Sequence, residues 1–213
     1  MAPSVSTELV RAVSRSAQVE GNATALWRAV DALVDRAPSV ADLQSHQLEL
    51  FAVRRWRALG RDIPAELLER ERRAAIGALS APLLLDRVLG AYAGELVLLK
   101  GPEIAARYPE PALRSFGDVD LLAADAPEAQ AALLSAGFEE VGDPEAYRDI
   151  HHLRPLRSPG LPLVAEIHSR PKWPDGIQPP PPTRELLAAG VSTGDGPKSL
   201  PPSHHALLLA GHS

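Results

Sequence analysis

The chain has 213 residues, 45% of them hydrophobic and 23% charged, with a net charge of −5. That composition belongs to globular proteins able to bury one good core and a second small one, and it excludes a disordered polymer. The acidic balance supplies no basic field for duplex DNA, although a local patch could still receive a tRNA. Without cysteine there are no disulfides, thiolate metal sites or thiol nucleophiles.

The start, Met1-Ala2-Pro3-Ser4-Val5, carries no charged and then apolar leader pattern. No segment offers the roughly 18 consecutive apolar residues of a membrane span. The expectation is a cytoplasmic protein with no membrane partner. From about Thr7 to Ala93 the pattern reads as successive helices. Leu26, Val30, Leu33 and Val34 recur at helical spacing, as do Leu48, Phe51, Val53 and Trp56 with slips. Asp62-Ile63-Pro64-Ala65-Glu66 is a helix start with Asp62 as N-cap, and Leu67, Leu68, Ile76 and Leu79 fall on or near one face. Ser80-Ala81-Pro82 starts or kinks the next helix, which carries Leu83, Leu84, Val88 and Leu89.

The pattern changes at Gly94. Leu96-Val97-Leu98-Leu99 is a short continuous apolar run ending at Lys100-Gly101, as a buried strand would. A short helix through Ile104 to Tyr108 is broken by Pro109 and Pro111, and Asp118 to Leu122 forms a second strand. Pro127 opens a helix through Leu134 that Gly137 closes. Phe138 to Val141, His151 to Leu156 and Leu163 to His168 read as further strands, the last two joined by a turn at Ser158-Pro159-Gly160. Pro179 to Pro182 make a stiff linker, and Ser203 caps a final leucine-rich helix that looks cut short. The expected organisation is α/β (α+β): an N-terminal helical domain over 1–93, a small mixed-sheet core over 94–176, and a Pro-rich linker with a partial C-terminal helical segment over 177–213.

The chemistry concentrates in Gly117-Asp118-Val119-Asp120-Leu121-Leu122. Side chains alternate along a strand, so Asp118 and Asp120 share a face while Val119 and Leu121 bury the other. Adjacent carboxylates repel unless a cation neutralises them, so the pair reads as a Mg²⁺ clamp. Glu166, a lone acid in Leu163-Val164-Ala165-Glu166-Ile167-His168, is the candidate third acid, able to complete a second metal site or take a proton from an acceptor hydroxyl. A strand acid pair, an upstream glycine turn and a later strand acid recur in metal-assisted nucleotidyl transfer from a nucleoside triphosphate. Taken singly, each also fits an ordinary turn or a surface ion pair. Lys100 has one further distinction: of the 22 basic residues only Lys100, Lys172 and Lys198 are lysines.

In order, Leu98-Leu99-Lys100-Gly101, Tyr108-Pro109 with Leu113-Arg114, Asp118-Val119-Asp120-Leu121-Leu122, His151-His152 and Ala165-Glu166-Ile167-His168 resemble the bacterial uncharacterised nucleotidyltransferase family. That family is a branch of the DNA polymerase beta-like superfamily, and the likeness extends from roughly Ala25 to the C-terminus. It implies Asp118 and Asp120 as Mg²⁺ ligands, Glu166 as the third acid, and a two-metal site as one possibility. Lys100-Gly101 replaces the superfamily's Gly-Ser or Gly-Gly turn, which shifts phosphate contact to the Lys100 ammonium and backbone amides, with Arg114 as a second contact. His151, His152 and His168 would line the acceptor side, the neighbouring pair reading as a strand edge rather than a ligand set. Arg154, Arg157 and Arg170 would help hold an anionic substrate. The partners implied are an NTP and a hydroxyl-bearing acceptor, whether small molecule, peptide, protein or tRNA. The rival reading is a catalytically silent module of the same fold that binds a nucleotide or a protein.

Overall fold

The computed structural model describes residues 23–212 apart from 38, 46, 109, 175–178, 193 and 195. The expected helical stretch from Thr7 to Asn22, and the break at Pro109, lie outside the described residues. The chain forms two compact units, Met1–Ala74 and Ala75–Ser213.

The first unit holds α1 (Ala23–Arg36), α2 (Val40–Ser45), α3 (Glu49–Ala58) and the start of α4 (Ala65–Ala91). Val30, Leu33 and Val34 of α1 are buried, as are Leu50, Phe51, Ala52 and Val53 of α3. Trp27 stacks on Phe51 at 5.4 Å between ring centroids. In α1 and α3 the helical spacing in the sequence thus marks the faces that pack, whereas of Leu67, Leu68, Ile76 and Leu79 only Leu67 is buried.

Helix α4 differs from expectation at two places. Its first carbonyl partner is Pro64, which accepts from Leu67 and Leu68, so Asp62 lies two residues before the opening. It also runs through Pro82 instead of restarting there. The proline removes one helical hydrogen bond, and burial of Ala81, Leu84 and Val88 against the sheet holds the turn across it. Helix α4 is long and apolar enough to cross a membrane; Ala81, Leu84 and Val88 pack with the sheet core, while Leu68, Ile76, Leu79 and Leu83 on the same helix are exposed.

The second unit is built on a six-stranded mixed sheet in the order β3-β4-β5-β2-β1-β6. The strands are β1 (Leu96–Leu98), β2 (Asp118–Ala123), β3 (Glu139–Glu140), β4 (Leu156–Arg157), β5 (Val164–His168) and β6 (Lys198–Ser199). β2 is antiparallel to β1 and parallel to β5. On one face Leu96, Leu98, Val119, Leu121, Ala165 and Ile167 pack with α4 and with α6 (Ala126–Ser135) through Ala129 and Leu133; α5 (Pro102–Ala105) is a single turn after β1. On the other, Val97, Leu99 and Leu122 are covered by Leu186 and Leu187 of α7 (Thr183–Ala189) and by Leu208 of α8 (Pro202–His212). The unit is therefore a sheet with helices on both faces, and the sequence-predicted α/β class holds.

Several elements depart from the sequence reading for identifiable reasons. Of His151 to Leu156 only Leu156 joins a strand; His152 makes a single bridge to His168, and Pro155 has no N–H to offer a ladder. The proline run leads straight into α7, with Pro182 at its N-cap. Ser203 lies inside the first turn of α8, because Pro201 O accepts from His205 N–H at 3.0 Å. Asp125, not anticipated, caps α6 by accepting from Glu128 N–H at 2.9 Å, while Gly137 ends it at φ +89° as expected.

Leu121 is fully buried between the strand acids and the helix layer. Leu121→Ala should lower the unfolding free energy by about 2–5 kcal/mol, read as a lower denaturant midpoint with unchanged far-UV circular dichroism before the transition.

Candidate functional site

The site is set by the register of two parallel strands. Asp118 pairs with Val164, Asp120 with Glu166 and Leu122 with His168. Side-by-side residues share a face, so Asp118, Asp120, Glu166 and His168 all project toward the side that carries α7 and α8. β1, antiparallel on the far side of β2, ends as Leu99 N–H donates to Asp120 O at 2.9 Å. Lys100 follows at once, and its Nζ lies 2.8 Å from Asp120 Oδ1.

Three side chains close on one spot. One oxygen of Asp120, one of Glu166 and a ring nitrogen of His168 lie within 4.8 Å of one another, so the group could hold a metal ion. His168 Nε2 is 3.1 Å from Asp120 Oδ1 and 3.8 Å from Glu166 Oε2. Asp120 and His168 are each 1% exposed and Glu166 is 17% exposed. Asp120 Oδ2 is buried without a hydrogen-bond partner, as is His168 Nδ1. A buried carboxylate oxygen with no donor is costly, and a cation would satisfy it; two carboxylates and an imidazole are a competent ligand set for a divalent ion.

Asp118 sits at the entry of β2, half-buried, on the same face but outside that close group. Burial and then the charge of Asp120 raise its carboxyl above the ordinary range. Burial, followed by the charges of Asp118 and Asp120, pushes Glu166 up to about 7 against the pull of Lys100. Burial acts upward on Asp120 as well, but the hydrogen bond and field of His168 together with the Lys100 ammonium overcome it and hold that carboxyl at about 2. One acid is thus kept ionised and its neighbour proton-rich, an arrangement typical of functional clefts.

Histidines wall the cluster. His152 Nε2 lies 3.6 Å from Glu166 Oε2, and the rings of His151, His152 and His168 stand 4.9 to 5.3 Å apart. Burial, then the neighbouring His168, His152 and lysine charges, depresses His151 to about 4. The His151-His152 pair, read from sequence as a strand edge, therefore stands against the acids.

The turn after β1 forms one rim. Gly101 has φ +68°, and a Cβ there would meet Asp118 O at 2.8 Å, so the backbone passes over the start of β2 in a way that only glycine allows. Arg114, which follows the 3₁₀ turn Pro111–Leu113, reaches Gly101 O at 3.5 Å, and its charge is felt at Asp118. Lys100, Gly101 and Arg114 are thereby brought together beside the acids. Arg154 is taken up by Glu140 and by Gly142 O, Arg170 lies 3.4 Å from Asp149 O, and Arg157 is exposed on β4.

Helix α8 holds this turn from behind. His205, fully buried, bonds Leu99 O through Nε2, and its Nδ1 lies 2.7 Å from Arg107 Nη2, itself paired with Glu103 at 3.1 Å. A carbonyl can only accept, so Nε2 carries the proton and Nδ1 accepts from the guanidinium: the ring is neutral. Burial lowers its basicity accordingly. Nothing in the sequence reading marked His205; a histidine set among leucines was the available signal.

Residues 40–213 match the family model described as "Uncharacterised nucleotidyltransferase". The chain belongs to that family. No curated protein and no solved structure matches it. The nucleotidyltransferase match spans the whole sheet unit and most of the described part of the first unit. Nucleotidyltransferases generally act with divalent metal ions, and the Asp120, Glu166 and His168 group is where this one could hold such an ion.

Glu166 supplies a pH signature. Its folded value, about 7, exceeds the ordinary 4.5, so the folded state retains a proton that the unfolded state loses. Stability is fully present below pH ~4.5 and declines as pH rises through ~7, by on the order of 3 kcal/mol for the metal-free protein. Thermal unfolding across that range should show the slope, and Glu166→Gln should flatten it.

Proposed function

We propose that this protein is a divalent-cation-dependent nucleotidyltransferase, moving an NMP group from an NTP to a hydroxyl-bearing acceptor and releasing pyrophosphate. The observation carrying this reading is the register pairing of Asp120 with Glu166, two acids from distant parts of the chain set side by side on the face that Asp118 shares. Asp118 and Asp120 take the role of metal ligands, with Mg²⁺ the ion expected from an aspartate pair, and Glu166 that of third acid. When bound, the cation supplies charge neutralisation on the triphosphate and polarises the attacked phosphorus.

The chain's own groups do the remainder. Lys100 and Arg114, beside the Gly101 turn, offer positive charge to the phosphate oxygens leaving as pyrophosphate. Glu166 serves as third metal ligand or as base; as base, in its ionised form, it receives the acceptor hydroxyl's proton as the new oxygen–phosphorus bond forms and the bond between the α-phosphorus and the bridging oxygen breaks. Positioning and charge stabilisation carry the rate. Asp118→Asn and Asp120→Asn should each cut pyrophosphate release at least ~100-fold while circular dichroism stays unchanged. Undiminished turnover in either would refute the assignment.

The ion pair at 2.8 Å between Lys100 and Asp120 favours a second reading. A site that neutralises its own acid fits a silent module that binds a nucleotide or a protein. Calorimetry with Mg-ATP and the other NTPs, followed by product analysis, separates the two, since the silent module binds without producing pyrophosphate. On the enzymatic reading Lys100 leaves Asp120 for phosphate when nucleotide enters. Lys100→Met should therefore tighten divalent-ion binding in the absence of nucleotide and weaken nucleotide binding, both read by titration calorimetry.

A further inference from the structure

The ligand group in this chain departs from an all-carboxylate clamp. Asp118, the oxygen donor that an aspartate pair would contribute, stands outside the close group, and the imidazole of His168 stands inside it. We propose that the site takes a first-row transition ion of the Mn²⁺ to Zn²⁺ class in preference to Mg²⁺, with His168 Nε2 as a nitrogen ligand beside one oxygen each from Asp120 and Glu166. The inference deepens the reading of this site as a divalent-cation centre and rests on it.

Spacing comes first. Ligands about 2.1 Å from an ion at tetrahedral or octahedral angles lie ~3.0–3.4 Å from one another. His168 Nε2 stands 3.1 Å from Asp120 Oδ1, which Lys100 also holds, and 3.8 Å from Glu166 Oε2; the three ligand atoms lie within 4.8 Å of one another, so side-chain rotation draws them to one centre. Asp120 Oδ2 is buried and unpartnered, which leaves a carboxylate oxygen available even while Lys100 holds Oδ1.

Donor chemistry decides the ion. Mg²⁺ demands oxygen, sheds its waters reluctantly and usually keeps several of them. Imidazole suits Fe²⁺, Ni²⁺, Cu²⁺ and Zn²⁺, and affinity for a mixed nitrogen and oxygen site rises along the series from Mn²⁺, so a preference seen with Mn²⁺ is its lower bound. His152, with Nε2 3.6 Å from Glu166 Oε2, stands behind that carboxylate as an orienting partner.

The test uses the full chain. Titration calorimetry with MnCl₂ and MgCl₂ should give Mn²⁺ binding at least ~10-fold tighter than Mg²⁺. Pulsed EPR of the Mn²⁺-loaded protein should show modulation from a directly bound nitrogen. His168→Gln should abolish that modulation and erase the preference by weakening Mn²⁺ while sparing Mg²⁺. Equal or tighter Mg²⁺ binding by the wild-type chain, or no bound-nitrogen signal, overturns this inference and leaves the divalent-cation reading intact. Absence of any divalent binding, or binding unaffected by Asp120→Asn, overturns the reading itself. The wild-type measurements decide the matter even where a variant fails to fold.

Discussion

Asp120 is an ionised carboxylate with almost no solvent, and the site is organised around keeping it so. Its strand lies between β1 and β5, and compensation arrives from both sides: the Lys100 ammonium from the turn after β1 and His168 from the end of β5. Removing one partner from a buried charge costs more than the bond itself, because the remaining charge is left without water. The pair also ties the turn to the far strand. Lys100 cannot shift toward a ligand without altering the field on Asp120, and through it the field on Glu166.

The geometry of the acids is decided on the opposite face of the same strands. Val119 and Leu121 on β2, with Ala165 and Ile167 on β5, pack against the α4 and α6 layer and leave the register no freedom. A slip by one residue would expose that apolar set and place Ala165 or Ile167 beside Asp120. Hydrophobic burial thus performs a task that carboxylates cannot perform for themselves, since their mutual repulsion opposes the meeting. Acid placement and core stability are two readings of one pairing.

Much of this was readable from the chain, for local reasons. The two-residue period placed Asp118 and Asp120 on one face of a strand and Glu166 on another, and Leu96 to Leu99 announced a buried strand ending at Lys100-Gly101. The pairing of those strands was not readable, because register is a non-local property. His168, assigned from the sequence to the acceptor side, is the instructive case: the period that unites Asp118 with Asp120 also unites Glu166 with His168, two positions on, and marks that histidine as a ligand candidate. β6, with two residues, and α7, opening directly from a proline run, are too short or too atypical for periodicity to register. Helix α4 passes through Pro82 because tertiary burial outweighs the lost bond.

The hold of His205 on Leu99 O has a temporal consequence. The carbonyl belongs to the end of the first strand, and its partner is made 106 residues later. A chain emerging from the ribosome can lay down β1 and the acid strands while the turn carrying Lys100 still lacks its rear support. The turn that carries Lys100 is therefore completed late in synthesis, after helix α8 has docked, and a nascent chain shorter than that presents its acids without a finished rim.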